Sequence, residues 1–146
     1  MRGISIKAVL VGAITDVVAS TIFGIPLGIY VVSSHGLGGL HRDALRAAVV
    51  TAVHNSPSLY ADQLLIGFGS SVLGGYVAAR LARENRRLNA VLAAWLCMGI
   101  GVHALITGQD GMSPFVVIFM IALTPLCYLM GALLQGRRAA TRSSPA

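Results

Sequence analysis

Four long apolar runs, separated by polar connections, dominate the pattern of hydrophobic and polar positions along the chain. They cover residues 6–32, 59–81, 88–107 and 114–134. Each is near the roughly 20 residues that cross a bilayer core as an α-helix. A single segment in lipid can satisfy its own backbone hydrogen bonds only as a helix. The pattern therefore predicts an all-α fold, an integral membrane bundle of four transmembrane helices in one domain, residues 1–136.

The composition favours a membrane protein over a soluble domain. Of the 146 residues, 55% are hydrophobic and 11% are charged, against roughly 25% charged residues in soluble domains. The net charge of +6 could indicate a protein that binds nucleic acid. Most basic residues, however, lie at the ends of the apolar runs, and they form no patch interleaved with aromatics. We therefore expect the lipid bilayer, and no nucleic acid, as a partner.

Arginine and lysine predict the orientation, because short cytoplasmic loops retain them. They precede the first helix, surround the turn between the second and third, and follow the fourth: Arg2, Lys7, Arg80, Arg83, Arg86, Arg87, Arg137, Arg138 and Arg142. The connection GQDGMS between the third and fourth helices has none, and the longer first connection has only Arg42 and Arg46. Both termini should therefore be cytoplasmic, with residues 137–146 as a disordered basic tail.

The connection between the first and second helices is the only one long enough for structure of its own. Within residues 36–56 the composition favours helix, and Leu45, Val49 and Val53 recur at helical spacing. We expect an interfacial helix on the outer leaflet, with a disordered loop or a cap over the bundle as alternatives. The histidines of this connection match no standard ligand spacing, so we predict no metal site and no cofactor.

A stripe of small residues that contains one aspartate runs along the first helix. Every fourth position from 12 to 28 belongs to it: Gly12, Asp16, Ser20, Gly24 and Gly28. Such residues share one helix face, and small side chains let helix backbones approach each other in lipid. The second helix has a similar face, made of two ladders side by side: Gly67, Ser71, Gly75 and Ala79, and Ser70, Gly74 and Ala78. We predict that the two faces pack together, with Asp16 pointing into protein.

The depth of Asp16 follows from tyrosines that mark the outer interface. Asp16 lies 14 residues inward from Tyr30, and Gly74 lies 14 residues inward from Tyr60, about 21 Å in each case by helical rise. Lys7 and Arg83, each nine residues further inward, mark the other interface. Asp16 should therefore lie level with Gly74.

The carboxyl group of Asp16 allows two interpretations. In the first interpretation, Asp16 is a neutral acid that forms a hydrogen bond between the first and second helices, because burial disfavours the charged form of a carboxyl group. The candidate partners are Tyr76, Ser71, Ser70 and Ser20, with Arg80 as an ion-pair alternative. The second is a proton or cation site, since ionisable residues in membrane helices often mark conduction paths.

The first two helices resemble a family of small four-helix bacterial inner-membrane proteins without an established activity. One shared pattern is G-x-x-x-D-x-x-x-S/T, matched here by Gly12, Asp16 and Ser20. The other is GGY-x-A-x-R, matched by Gly74, Gly75, Tyr76, Ala78 and Arg80. The resemblance covers about half of the chain. It implies a four-helix fold in the bacterial cytoplasmic membrane and supplies no chemistry.

The sequence carries no signature of an enzyme. It has no phosphate loop, metalloprotease motif, nucleophile elbow or convincing carboxylate pair, so we predict no catalytic residues. We expect a multi-pass membrane protein that acts through helix packing, as a homo-oligomer or with another membrane protein. The alternative is a small oligomeric transporter or channel that uses Asp16 as a proton or cation site.

Overall fold

The computed structural model describes residues 3–107 and 114–142, and this part of the chain is helical without strands. It forms five α-helices: α1 Ile6–Ser34, α2 Arg42–Asn55, α3 Pro57–Leu81, α4 Arg86–Thr107 and α5 Pro114–Arg142. A single 3-10 turn, Leu37–Gly39, lies between α1 and α2. All four predicted apolar runs are helical, as α1, α3, α4 and α5, and the helix predicted within the first connection is α2.

Three helices in the described part of the chain are long and apolar enough to cross a membrane: α1, α3 and Ile118–Arg137 within α5. Large hydrophobic side chains point outward from them, as lipid-facing positions require; on α1 they include Ile14, Ile22, Phe23 and Ile29. Helix α4 starts with two arginines, which makes its first turn polar. The chain is thus a helical membrane protein.

Helix α3 lies at the centre of the packing, between α1 and α5, and α4 closes the bundle against all three. Glycines allow both α1 and α5 to approach α3 closely. A Cβ built on Gly12 of α1 would lie 2.6 Å from Ala78 Cβ and 3.0 Å from the Gly74 oxygen. A Cβ built on Gly131 of α5 would lie 2.6 Å from the Tyr76 nitrogen. The backbone of α3 is therefore in near contact with the backbones of two neighbours.

The two ends of the bundle differ in chemistry. At the basic end, Lys7 and Arg83 line a shared surface depression. At the tyrosine end, defined by Tyr60 and helix α2, Val53 of α2 is buried in one cluster with residues of α1 and α3. Helix α2 therefore has the helical form expected of an interfacial segment together with contacts expected of a cap.

A buried asparagine joins the segment before α1 to the start of α4. The Asn89 side chain is fully buried, and its Oδ1 accepts a hydrogen bond from the Ser5 nitrogen at 2.7 Å. Its Nδ2 donates to the backbone oxygens of Gly3 at 3.0 Å and of Glu84 and Asn85 at 3.1 Å. Because Asn89 binds two backbone segments at once, it fixes how α1 enters the bundle.

Helix α5 continues beyond its predicted end at residue 134. It ends at Arg142 and so takes in residues 137–142 of the segment for which the sequence predicts a disordered tail. Arginine and alanine, which fill most of this segment, are strong helix formers. The rest of the predicted tail, and the GQDGMS connection, lie outside the described residues.

Candidate functional site

Four polar side chains, one from each of the four long helices, meet inside the bundle. They form what we call the Asp16 cluster: Asp16 of α1, Ser71 of α3, Cys97 of α4 and Tyr128 of α5. Asp16 Oδ2 accepts hydrogen bonds from Tyr128 Oη at 2.9 Å and from Ser71 Oγ at 3.1 Å. Tyr128 Oη also lies 3.1 Å from Cys97 Sγ. A single carboxyl group thus links α1 to α3 and α5, and Tyr128 extends the link to α4.

Close packing shields this cluster. Asp16 and Ser71 are each 8% exposed, and Tyr128 is fully buried. A Cβ built on Gly74 would lie 3.0 Å from Asp16 Cβ and 2.9 Å from the Tyr128 hydroxyl. The absence of a side chain at Gly74 therefore lets the carboxyl group and the hydroxyl meet at one level, which is the level that the tyrosine spacing predicts.

The other candidate partners of Asp16 lie in different surroundings. Ser20 Oγ and Ser70 Oγ each donate to a backbone oxygen three residues earlier in their own helices, at 2.9 and 3.0 Å. Tyr76 is half-buried, and its backbone nitrogen faces α5. The phenolic hydroxyl that binds Asp16 belongs instead to Tyr128, which our sequence reasoning missed.

A signal for Tyr128 is nevertheless present in the sequence. Tyrosines favour the membrane interfaces, whereas Tyr128 lies well inside an apolar run. Asp16 lies nine residues from Lys7, and Tyr128 lies nine residues from Arg137. Measuring depth on α5 from its basic residue therefore places the hydroxyl level with the carboxyl group.

The small-residue face of α1 packs on α3 over only part of its length. Gly12 contacts α3 closely, whereas a Cβ built on Gly24 or Gly28 would have no atom within 4 Å. The nearest neighbour of Gly75 of α3 is the backbone of Tyr128 on α5. The prediction that the whole stripe packs on α3 is therefore wrong for Gly24 and Gly28. Two helices that cross separate on either side of their closest point.

A cavity of about 360 Å³ occupies the space where α1 and α3 separate. Its walls come from α1, α2 and α3, with Met120 of α5, and are mainly apolar. A Cβ built on Gly67, the remaining predicted packing glycine, would lie 3.1 Å from Met120 Cε. Ser20 also lines the cavity and lies one helical turn, about 6 Å, from Asp16. The cavity therefore ends one turn from the Asp16 cluster.

The described part of the chain contains no group of metal-ligating side chains. Across 3–107 and 114–142, no three His, Cys, Asp or Glu side chains are grouped so that they could hold a metal ion. Cys97 and Cys127 are both free thiols. The candidate site is therefore a network of hydrogen bonds around the carboxyl group of Asp16.

Comparison with known proteins assigns no relationship. No family model, no curated protein and no solved structure matches the chain. A function must therefore be inferred from the geometry of the Asp16 cluster and of its surroundings.

Proposed function

We propose that the protein crosses the bacterial cytoplasmic membrane four times, with both termini in the cytoplasm. Helix α4 supplies the fourth crossing: it starts at the basic end, where Arg86 Nη1 donates to Gln135 Oε1 at 3.2 Å, and its Cys97 lies in the Asp16 cluster. Short basic connections remain cytoplasmic, so the tyrosine end lies outside. A reporter inserted after Arg83 should read as cytoplasmic, and an external reading would reverse the orientation.

The proposed role is non-catalytic: the protein acts through helix packing, with itself or with another membrane protein. The observation that carries this proposal is the Asp16 cluster, whose carboxyl group is held by two hydroxyls from other helices and is buried. Such a group stabilises one arrangement of helices. The fixed bundle then offers a surface of large apolar side chains, which in lipid can contact either acyl chains or a partner helix.

A second candidate function is a proton or cation path through an oligomer. One observation favours it: the cavity reaches from the tyrosine end to within one turn of Asp16. A conduction path needs polar groups along its length, however, and the cavity walls are mainly apolar. Helix packing is therefore the better supported of the two functions.

Substituting Asp16 by asparagine separates these functions, because asparagine retains the shape of the side chain and cannot titrate. If the protein acts through packing, D16N in reconstituted vesicles should leave proton and cation flux at the wild-type level. Its crosslinks in native membranes, to a second copy or to a partner, should also persist. A flux that the wild-type protein supports and that folded D16N abolishes would establish transport instead; a strictly monomeric, uncrosslinked protein would contradict the packing role.

The stabilising role of the Asp16 cluster can be measured separately. Y128F removes one of two donors to Asp16 and keeps the ring, so the free energy of unfolding should fall by about 1 kcal/mol. Y30F is the matched control, since Tyr30 is 59% exposed, and it should change little. Equilibrium unfolding by SDS in mixed micelles measures both. Equal effects of the two substitutions would remove the support that the Asp16 cluster gives to the proposal.

A further inference from the structure

The cavity between α1 and α3 has the depth of one membrane leaflet. Helix α1 lines it from Ser20 to Val31, about 16 Å of helix by rise per residue. The hydrocarbon core of a bilayer is about 30 Å thick, so this wall spans about half of it. The volume of about 360 Å³ lies within the roughly 300–1,000 Å³ of small-molecule sites.

The chemistry of the walls changes along this depth. Apolar side chains from three helices line most of the cavity, among them Leu27, Val53 and Leu64. Two polar side chains, His54 and Gln63, lie at its tyrosine end. His54 Nδ1 donates to the Val50 oxygen at 3.1 Å, which leaves Nε2 as the ring nitrogen that can bind a ligand. The other polar side chain of the lining, Ser20 at the opposite end, donates to the Val17 oxygen of its own helix at 2.9 Å. The remaining polar groups lie at one end of an apolar space, which matches a lipid chain and its ester or head group.

A space of this kind inside a bilayer favours occupation by hydrocarbon. Protein interiors contain few voids larger than a water molecule, and cavities with apolar walls exclude water. Unfilled, the walls would lack dispersion contacts on one side. The acyl chains of the surrounding membrane can supply these contacts without any rearrangement of the helices.

We propose that this cavity binds one acyl chain of a membrane lipid, with the polar head of the lipid beside His54 and Gln63. Gly24 and Gly28 make the space available, since a Cβ at either position would meet no atom within 4 Å. Both residues line the cavity, so a larger side chain at either would start in open space at its wall. The site is independent of the proposed packing function.

Photolabelling tests the site in the complete chain. The protein is reconstituted in phosphatidylethanolamine–phosphatidylglycerol vesicles that contain a phosphatidylglycerol with a diazirine midway along one acyl chain. After illumination, mass spectrometry should find label on cavity residues Val53, Leu64 and Met120. G24L and G28L should each lower this label at least tenfold. G69L is the matched control: a Cβ there also meets no atom within 4 Å, Gly69 lies outside the cavity lining, and the label should persist.

Each outcome decides for or against the proposal. Label on lipid-facing Ile22 and Phe23 reports that a variant is inserted, so loss of cavity label with this outer label retained supports the site. Cavity label unchanged in either G24L or G28L would overturn it. A diazirine fatty acid, used in parallel, identifies the source of the chain: cavity label from either probe supports the proposal, and label from neither overturns it.

Discussion

G131A is expected to lower the free energy of unfolding by about 3 kcal/mol, at the upper end of the usual effect of overpacking. The added methyl group would lie 2.6 Å from the Tyr76 nitrogen and 3.0 Å from the Gly75 carbonyl carbon, and would also run into the Val72 oxygen. These are backbone atoms, so no rotation of a side chain can relieve the overlap. Only a displacement of α5 from α3 can, and equilibrium unfolding by SDS would measure its cost.

G136A provides the matched control on the same helix. A Cβ there would meet no atom within 4 Å, and alanine is about 1 kcal/mol more favourable than glycine inside a helix. The control should therefore unfold at the wild-type SDS concentration or slightly above it. If G131A resembled G136A, the close approach of α3 and α5 would be wrong.

N89A should have the second largest effect, a loss of about 3 kcal/mol. The Asn89 amide binds four backbone groups, and each buried group that loses its partner costs about 1–3 kcal/mol, reduced where water reaches the basic end. The segment before α1 should also become more sensitive to proteolysis in detergent, because its Ser5 and Gly3 bonds are lost. N55A, at the exposed end of α2, is the control and should match the wild-type protein in both assays.

A stable, protease-resistant N89A protein would show that α1 docks without this amide. If N89A is unstable but the segment before α1 stays resistant to proteolysis, the Asn89 amide stabilises only the turn between α3 and α4. The prediction requires both changes together, because Asn89 Nδ2 donates to Gly3 on one side and to Glu84 and Asn85 on the other.

The helices and the level of Asp16 could be predicted from the sequence because the bilayer itself imposes them. Lipid requires helical segments of a set length, and aromatic and basic residues mark where each segment meets water. These two rules place Asp16 level with Gly74. They measure position along the membrane normal, so they say nothing about which faces of the helices meet.

Which residues face each other could be predicted only in part: Asp16 contacts Ser71 and Gly74 of α3 as predicted, but Gly24 and Gly28 of the stripe do not pack there. A small-residue stripe is compatible both with packing and with an open space, and the crossing of α1 and α3 decides between them: Gly12 is packed and Gly28 is not. Tyr128 and Cys97 were missed for the same reason. Lipid-facing and protein-facing sides of a membrane helix are both apolar, so periodicity does not show which side points inward.

The Asp16 cluster also sets an order of events during synthesis. Ser71 follows Asp16 by 55 residues and Tyr128 follows it by 112, so at about 5–20 residues per second the carboxyl group waits roughly 6–22 seconds for its second donor. During that interval a nascent chain holds an incompletely bonded acid in the bilayer. The arrival of α5 supplies the Tyr128 hydroxyl, and with it the second hydrogen bond to the carboxyl group.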